Sequence, residues 1–232
     1  MINLQNRSLQ KELLDAEGIP FADIKKNMQE LDTVNRLLGG HQITLKGLTS
    51  FINPSTQNIS ICEIGCGGGD NLRAIHQYCT QKKIAVRLTG LDIKKECIEY
   101  ASERNPQLEA HWICNDYKLA DFTFNPPDIL FSSLFCHHFT KEELVHMMVW
   151  MQNNCRLGFF VNDLHRHSVA YYAIKWITQL FSGSYLVKND APLSVARGFS
   201  KKDWQQVFEK AGIHQYTIRW KWAFRHLIVF KK

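Results

Sequence analysis

The sequence predicts an α/β domain built on a seven-stranded, mostly parallel sheet with an antiparallel last strand and helices on both faces. Three observations carry this expectation. From residue 59 onward, short apolar runs alternate with amphipathic helical stretches. A glycine-rich turn, Gly65-Cys-Gly67-Gly68-Gly69, follows the first of those runs, where a strand passes into a helix. The last two runs, about residues 215–220 and 225–230, lie too close for a helical crossover and suit an antiparallel pair.

Ahead of the sheet, residues 1–55 read as an N-terminal helical cap. Leu9, Leu13 and Leu14 precede a break at Gly18-Ile-Pro20, and Ile24, Met28, Leu31, Val34 and Leu38 then recur at spacings of three and four before Gly39-Gly40. A short helix over about 45–52 stops before Asn53-Pro54, because a residue preceding proline is pushed out of the helical region. Strands follow at 59–64, 86–92, 110–114, 128–132 and 158–162, with helices at 71–82, 95–103 and 141–153. Ser200 offers a cap for a helix running to Ala211-Gly212. Within a domain spanning 56–232, residues 163–199 are long for a connection. They carry a helical period of their own in Val169, Tyr172, Ala173, Trp176, Ile177 and Leu180, and so read as a lid inserted over the strand ends.

A chain of 232 residues with 45% hydrophobic content can bury one sizeable core. The net charge of +6 permits an anionic partner but falls short of the dense basic stripe of a nucleic-acid binder, so nucleic acid is not the expected partner. Cys62, Cys66, Cys79, Cys97, Cys114, Cys136 and Cys155 are scattered without a CxxC pair, which points to reduced thiols in a cytoplasm. The start, Met1-Ile-Asn-Leu, lacks the basic-then-apolar pattern of a targeting signal, and no run approaches the roughly 18 apolar residues of a membrane span.

The chemistry concentrates at strand ends. Glycines without Cβ let the backbone turn tightly and approach a ligand, and the helix beyond presents unpaired N–H donors. Glu63, two residues before Gly65, would repel a phosphate but suits a ligand bearing an ammonium and a sulfonium. Asp92 lies 23 residues past Gly69, near the spacing of about 20 at which a second-strand carboxylate meets ribose hydroxyls.

Glu63-Ile-Gly65-Cys-Gly67-Gly68-Gly69, with Asp92 behind it, resembles motif I of the class I S-adenosylmethionine (SAM) dependent methyltransferases, whose sheet is Rossmann-like. The resemblance covers about 56–232. It implies a SAM site formed by Glu63, Gly65, Cys66, Gly67 and Gly69, with Asp92 and Ile93 at the ribose, and S-adenosylhomocysteine (SAH) as product. Ile113-Cys-Asn115-Asp116-Tyr117 is similar to the family's adenine segment, with Asp116 accepting from the exocyclic amine. Phe131-Ser-Ser133-Leu134-Phe-Cys-His137-His138 is similar to the segment facing the methionine part. Asn125-Pro126-Pro127-Asp128 only superficially looks like the NPPY motif of amino-methyltransferases, because here the prolines precede the fourth strand and Asp replaces the aromatic residue.

Histidine suits general-base work, its unperturbed pKa being about 6.5. His137, His138 and, after the fifth strand, His165 are therefore the candidate bases, with His165 or Arg166 orienting an acceptor oxygen. Asp163, His165 and His167 could also be weighed as metal ligands, but without a further carboxylate pair no metal is expected. Asn35 to His41, Asp163 to His167 and Pro192 to Ser200 resemble bacterial small-molecule methyltransferases of the ubiquinone, menaquinone and polyketide type. That likeness implies O-methylation of an aromatic or phenolic acceptor. An RNA or protein methyltransferase and a non-catalytic SAM-binding regulatory protein are the alternatives, and the oligomeric state is left open.

Overall fold

The computed structural model describes residues 4–16 and 18–232. Met1, Ile2 and Asn3, the start of the stretch read for a targeting signal, and Glu17 lie outside the described residues. Strands β1 (Asn58–Ile64), β2 (Ala85–Asp92), β3 (His111–Cys114), β4 (Ile129–Ser133), β5 (Gly158–Leu164), β6 (Tyr216–Lys221) and β7 (Arg225–Lys231) form one sheet in the order 3-2-1-4-5-7-6. The first five run parallel, and β7 is antiparallel to both β5 and β6. This is the sheet the alternating pattern predicts.

Buried strand faces alternate with period two. Leu130 and Phe159 join Met147, Met148, Trp204 and Phe208 on the face covered by α5 (Lys141–Asn153) and α8 (Lys201–Lys210). Phe131 and Phe160, stacked with centroids 4.8 Å apart, join Leu72 and Ile75 on the face covered by α2 (Gly40–Thr49) and α3 (Asp70–Gln81). Helix α4 (Lys95–Arg104) follows β2. Thr140 and Ser200 start α5 and α8 as reciprocal capping boxes.

Several boundaries differ from the sequence expectation for physical reasons. β5 continues past Asn162 because β7 pairs Asp163 with His226 and Leu164 with Arg225, which carries Asp163 to the sheet's edge. The Leu9 to Leu14 stretch supplies a single 3₁₀ turn, Leu13–Asp15, and α1 (Phe21–Leu37) is the long helix. Helix α2 starts at Gly40, earlier than expected, since Gly39 at φ +73° breaks the chain between α1 and α2.

The segment 163–199 forms α6 (Ser168–Phe181) and α7 (Tyr185–Arg197). Its apolar stripe does not pack as the periodicity suggests: Val169, Tyr172, Trp176 and Leu180 face solvent, Ala170 is buried, and Ala173, Ile174 and Ile177 line a cavity at the strand ends while Ala173 and Ile177 stay exposed. The N-terminal segment lies across α7 as a strap. Ser8 N–H donates to the Ala196 carbonyl (3.0 Å), and the Leu13 and Leu14 N–H groups donate to the two carboxylate oxygens of Asp190 (2.8 and 2.9 Å). Asp32 of α1 accepts from Arg73 and Arg104 (3.1 and 3.0 Å), fastening that helix to α3 and α4. No described helix is long and apolar enough to cross a membrane.

Candidate functional site

The turn after β1 is held open by its glycines. Gly65, Gly67 and Gly69 sit at φ +70°, +49° and +74°, the left-handed region where a side chain is strained. Gly65 and Cys66 N–H groups donate to the Leu91 carbonyl (2.8 and 3.1 Å), and Gly67 N–H donates to Asp92 Oδ2 (2.9 Å), so the turn is pinned onto the end of β2. A Cβ at Gly65 would stand 2.3 Å from the Phe135 ring. Gly65→Ala is therefore expected to destabilise the protein by about 2 kcal/mol or more, from backbone strain plus overpacking. Chemical denaturation checks this, and a loss below about 0.5 kcal/mol would contradict it.

The three carboxylates expected at the strand ends, Glu63, Asp92 and Asp116, line one cavity of about 720 Å³, which Glu12, Asp15, Asp32 and Asp70 line as well. Glu63 is 1% exposed; its Oε1 accepts from Asn71 Nδ2 (2.9 Å), and its Oε2 has no partner among the described residues. Burial pushes the Glu63 carboxyl well above its usual range; the Asn71 hydrogen bond opposes this and the charges of Asp70 and Asp92 add to it. Asp92 is also raised by burial, although its oxygens accept from Gly67 and Lys94 N–H (2.9 and 3.0 Å). Asp116 Oδ1 accepts from Lys118 N–H (3.0 Å).

Gly65, Cys66, Gly67, Ile93, Asn115, Tyr117, Ser133 and Leu134 line the same cavity. Gly69 does not: it is the N-terminal cap of α3, where a Cβ would meet Trp112 at 2.7 Å. Leu134 closes β4 at φ +54°, strained backbone held by its N–H bond to the Asn162 carbonyl (2.9 Å). A second depression, of about 630 Å³, lies at the opposite strand ends around Ser60, Val86 and Pro127, away from the glycine turn.

Of the three candidate bases, His137 and His138 line the large cavity and His165 does not. Both occupy the 3₁₀ turn after β4, Cys136–His138. His137 Nδ1 lies 2.8 Å from Asp163 Oδ1, and its backbone N–H donates to Asp163 Oδ2 (2.9 Å). Burial alone would raise the Asp163 carboxyl, but the charge and hydrogen bonds of His137 outweigh it and hold Asp163 below the usual range. His138 Nδ1 faces Asp15 Oδ1 at 3.3 Å, and its hydrogen bond and charge likewise hold Asp15 low against burial.

His165 instead packs on His226 with centroids 4.6 Å apart, and burial lowers it; His226 is pushed down to about 4 by burial and by His165. Arg166 spends its guanidinium on the Leu4 and Gly198 carbonyls (3.1 and 2.7 Å) and on Asp203 (3.2 Å). The structure thus places Arg166 in the scaffold holding the strap and α8.

Sequence reasoning missed Glu12, Asp15, Asp163 as the partner of His137, and Arg225. Glu12 is buried at 5% exposure, with its carboxylate 3.6 Å from His137 Nε2 and 3.8 Å from His138 Nε2. Arg225 lines the cavity with Nε and Nη1 unpartnered among the described residues; burial lowers it to about 10, so it stays charged at neutral pH. No short-range signal marks Glu12, Asp15 or Arg225, because the strap and β7 bring them in from the two ends of the chain, while Asp163 comes from β5.

Residues 61–158 match a family described as a methyltransferase domain. No curated protein sequence matches the chain. Among solved structures, the chain resembles the plantazolicin methyltransferase BpumL, in complex with a triazolic desmethylplantazolicin analogue and SAH. There the identity is 17% over 91% of this chain and 90% of that one, with a TM-score of 0.67. It resembles a SAM-dependent methyltransferase from Aquifex aeolicus at 15% identity over 92% and 98% of the two chains (TM-score 0.64). A candidate O-methyltransferase from Nostoc punctiforme is similar at 14% identity over 88% of this chain, with a TM-score of 0.61. This chain spans only 60% of that protein's length. At such identities the likeness is one of fold, and the chain has the Rossmann-like fold of these methyltransferases.

Proposed function

We propose that the chain is a SAM-dependent methyltransferase that O-methylates a small aromatic or phenolic acceptor. The observation that carries this reading is the convergence of Glu63, Asp92 and Asp116 on one cavity. Glu63 fits a cationic ligand group because its buried Oε2 has no protein partner. Gly67, where an added Cβ meets nothing within 4 Å, leaves the backbone open beside it. Glu63 would hold the methionine ammonium, Asp92 and Ile93 the ribose, and Asn115, Asp116 and Tyr117 the adenine, with Ser133 and Leu134 along the methionine chain. The similar proteins described as SAM-dependent, or bound to SAH, support the same cofactor.

When bound, SAM supplies a sulfonium-activated methyl group, and the protein's main task is alignment of that group with the acceptor. His137 and His138, each backed by a carboxylate, activate the acceptor's oxygen. The strap, α6 and α7 cover the cavity and exclude water. Leu164, Ala173 and Phe224 supply apolar lining and Arg225 a cationic donor, which suits an aromatic acceptor carrying an oxygen function. The similar plantazolicin methyltransferase, solved with a triazolic desmethylPZN analogue, supports the small-molecule class. The free thiols fit a reducing, cytoplasmic setting.

The test is SAH formation from SAM across a panel of phenols, quinols and hydroxylated polyketides, with RNA and protein fractions alongside. Turnover confined to hydroxylated aromatics is expected. Salt-dependent methylation of RNA, or saturable SAM binding with no turnover on any acceptor, would contradict the reading.

A further inference from the structure

We propose that Glu12, His137 and His138 form a binding site for one divalent first-row transition metal ion, with an open coordination position facing the cavity. The ion's role, holding the acceptor oxygen and lowering its pKa, rests on the methyl-transfer reading; its existence does not.

The geometry is that of ligands arranged around a missing centre. One carboxylate oxygen of Glu12 and one ring nitrogen from each histidine lie within 4.8 Å of one another. Glu12 Oε1 is 3.6 Å from His137 Nε2, and Glu12 Oε2 is 3.8 Å from His138 Nε2. Both distances are too long for hydrogen bonds. They are close to the roughly 3.3–3.6 Å separating two ligand atoms that each stand about 2.0–2.2 Å from one tetrahedral ion.

The outer nitrogens complete the pattern. His137 Nδ1 is held by Asp163 at 2.8 Å and His138 Nδ1 faces Asp15 at 3.3 Å. Carboxylates on Nδ1 set the tautomer that leaves the Nε2 lone pair for a metal, the arrangement that metal-binding histidines use. The supporting shell is built in. Arg197 donates to the carbonyls of His137 and His138 (3.1 and 2.8 Å), and Ser194 Oγ donates to Glu12 Oε1 (2.7 Å).

Charge favours a cation. Glu12, Asp15, Asp163 and Asp190 surround the cluster, against the guanidinium groups of Arg7 and Arg197. The two-nitrogen, one-oxygen donor set selects ions such as Zn²⁺, Co²⁺ or Fe²⁺ over Mg²⁺ or Ca²⁺, and three protein ligands leave room for an acceptor oxygen. The trio weighed from sequence, Asp163, His165 and His167, does not assemble, because Asp163 turns to His137 and the Leu164 N–H. Only the strap brings in the carboxylate that the two adjacent histidines need.

The test uses the full chain stripped of metal by chelation. Titration with Co²⁺, followed by its visible d–d absorption, and with Zn²⁺, followed by calorimetry, is expected to give one equivalent bound. Glu12→Gln and His138→Ala should each weaken that binding at least 10-fold, and Asp15→Asn by about 10-fold. His165→Ala should leave it unchanged. Glu12→Gln preserves shape, and its unfolding midpoint is measured alongside, so a folding defect in His138→Ala leaves the test intact. Absence of saturable one-to-one binding, or equal affinity in wild type and Glu12→Gln, overturns the proposal. SAM titration of the metal-free protein separates the two readings. SAM binding without metal binding sinks the metal site alone, and metal binding without SAM binding sinks the methyltransferase assignment alone.

Discussion

Glu63→Gln is expected to weaken SAM binding by about 100-fold while making the ligand-free protein no less stable. Both effects follow from a carboxylate whose Oε2 is buried without a partner. Removing one member of a buried charge pair costs on the order of 2–5 kcal/mol of binding, and about 2.7 kcal/mol is 100-fold. In the ligand-free protein the same charge is a burden, since burial raises Glu63 well above its usual range.

The sign of the pH dependence follows. A carboxyl raised by folding holds its proton more tightly in the native state, so wild-type stability falls, relative to the Gln variant, as pH climbs from the ordinary glutamate range through the folded pKa. An incoming ammonium favours the ionised form. SAM affinity should therefore rise over that same pH window, with a proton released on binding. Calorimetry in buffers of different ionisation enthalpy measures the proton. Unchanged affinity in Glu63→Gln, or no pH dependence, would contradict the assignment.

His137→Ala is expected to lower turnover by about 10²–10⁴-fold with SAM affinity within about twofold of wild type. The imidazole is held on one side by Asp163 and faces Glu12 across the cavity wall, so its loss removes acceptor activation without touching the glycine turn. His165→Ala serves as the contrast and should retain activity, because His165 packs on His226 outside the cavity. A parallel fall in SAM affinity in His137→Ala would mark His137 as structural.

The parallel core and the gathering of the glycine turn with Glu63, Asp92 and Asp116 at one cavity were legible because their signals are local. A buried strand followed by three left-handed glycines, with acids at the next two strand ends, is written in short stretches of chain, and the sheet brings those ends to one edge. The part of the cavity lined by Glu12 and Arg225 was not legible. Glu12 comes from a strap with one 3₁₀ turn and no hydrophobic period, and Arg225 arrives through antiparallel pairing with Leu164. Helical spacing in α6 correctly implied a helix, yet not which face is covered: Tyr172, Trp176 and Leu180 turn outward, although apolar periodicity ordinarily marks a buried face. His165 sits at the correct strand end but is turned aside by His226, a partner contributed from β7.

A crystal structure with SAH bound would show where the cofactor sits. The nucleoside is expected in the cavity of about 720 Å³, its amino-acid end at Glu63, its ribose at Asp92 and its base beside Asp116. Ligand density in the depression around Ser60 and Val86, or at no site on the protein, would contradict it.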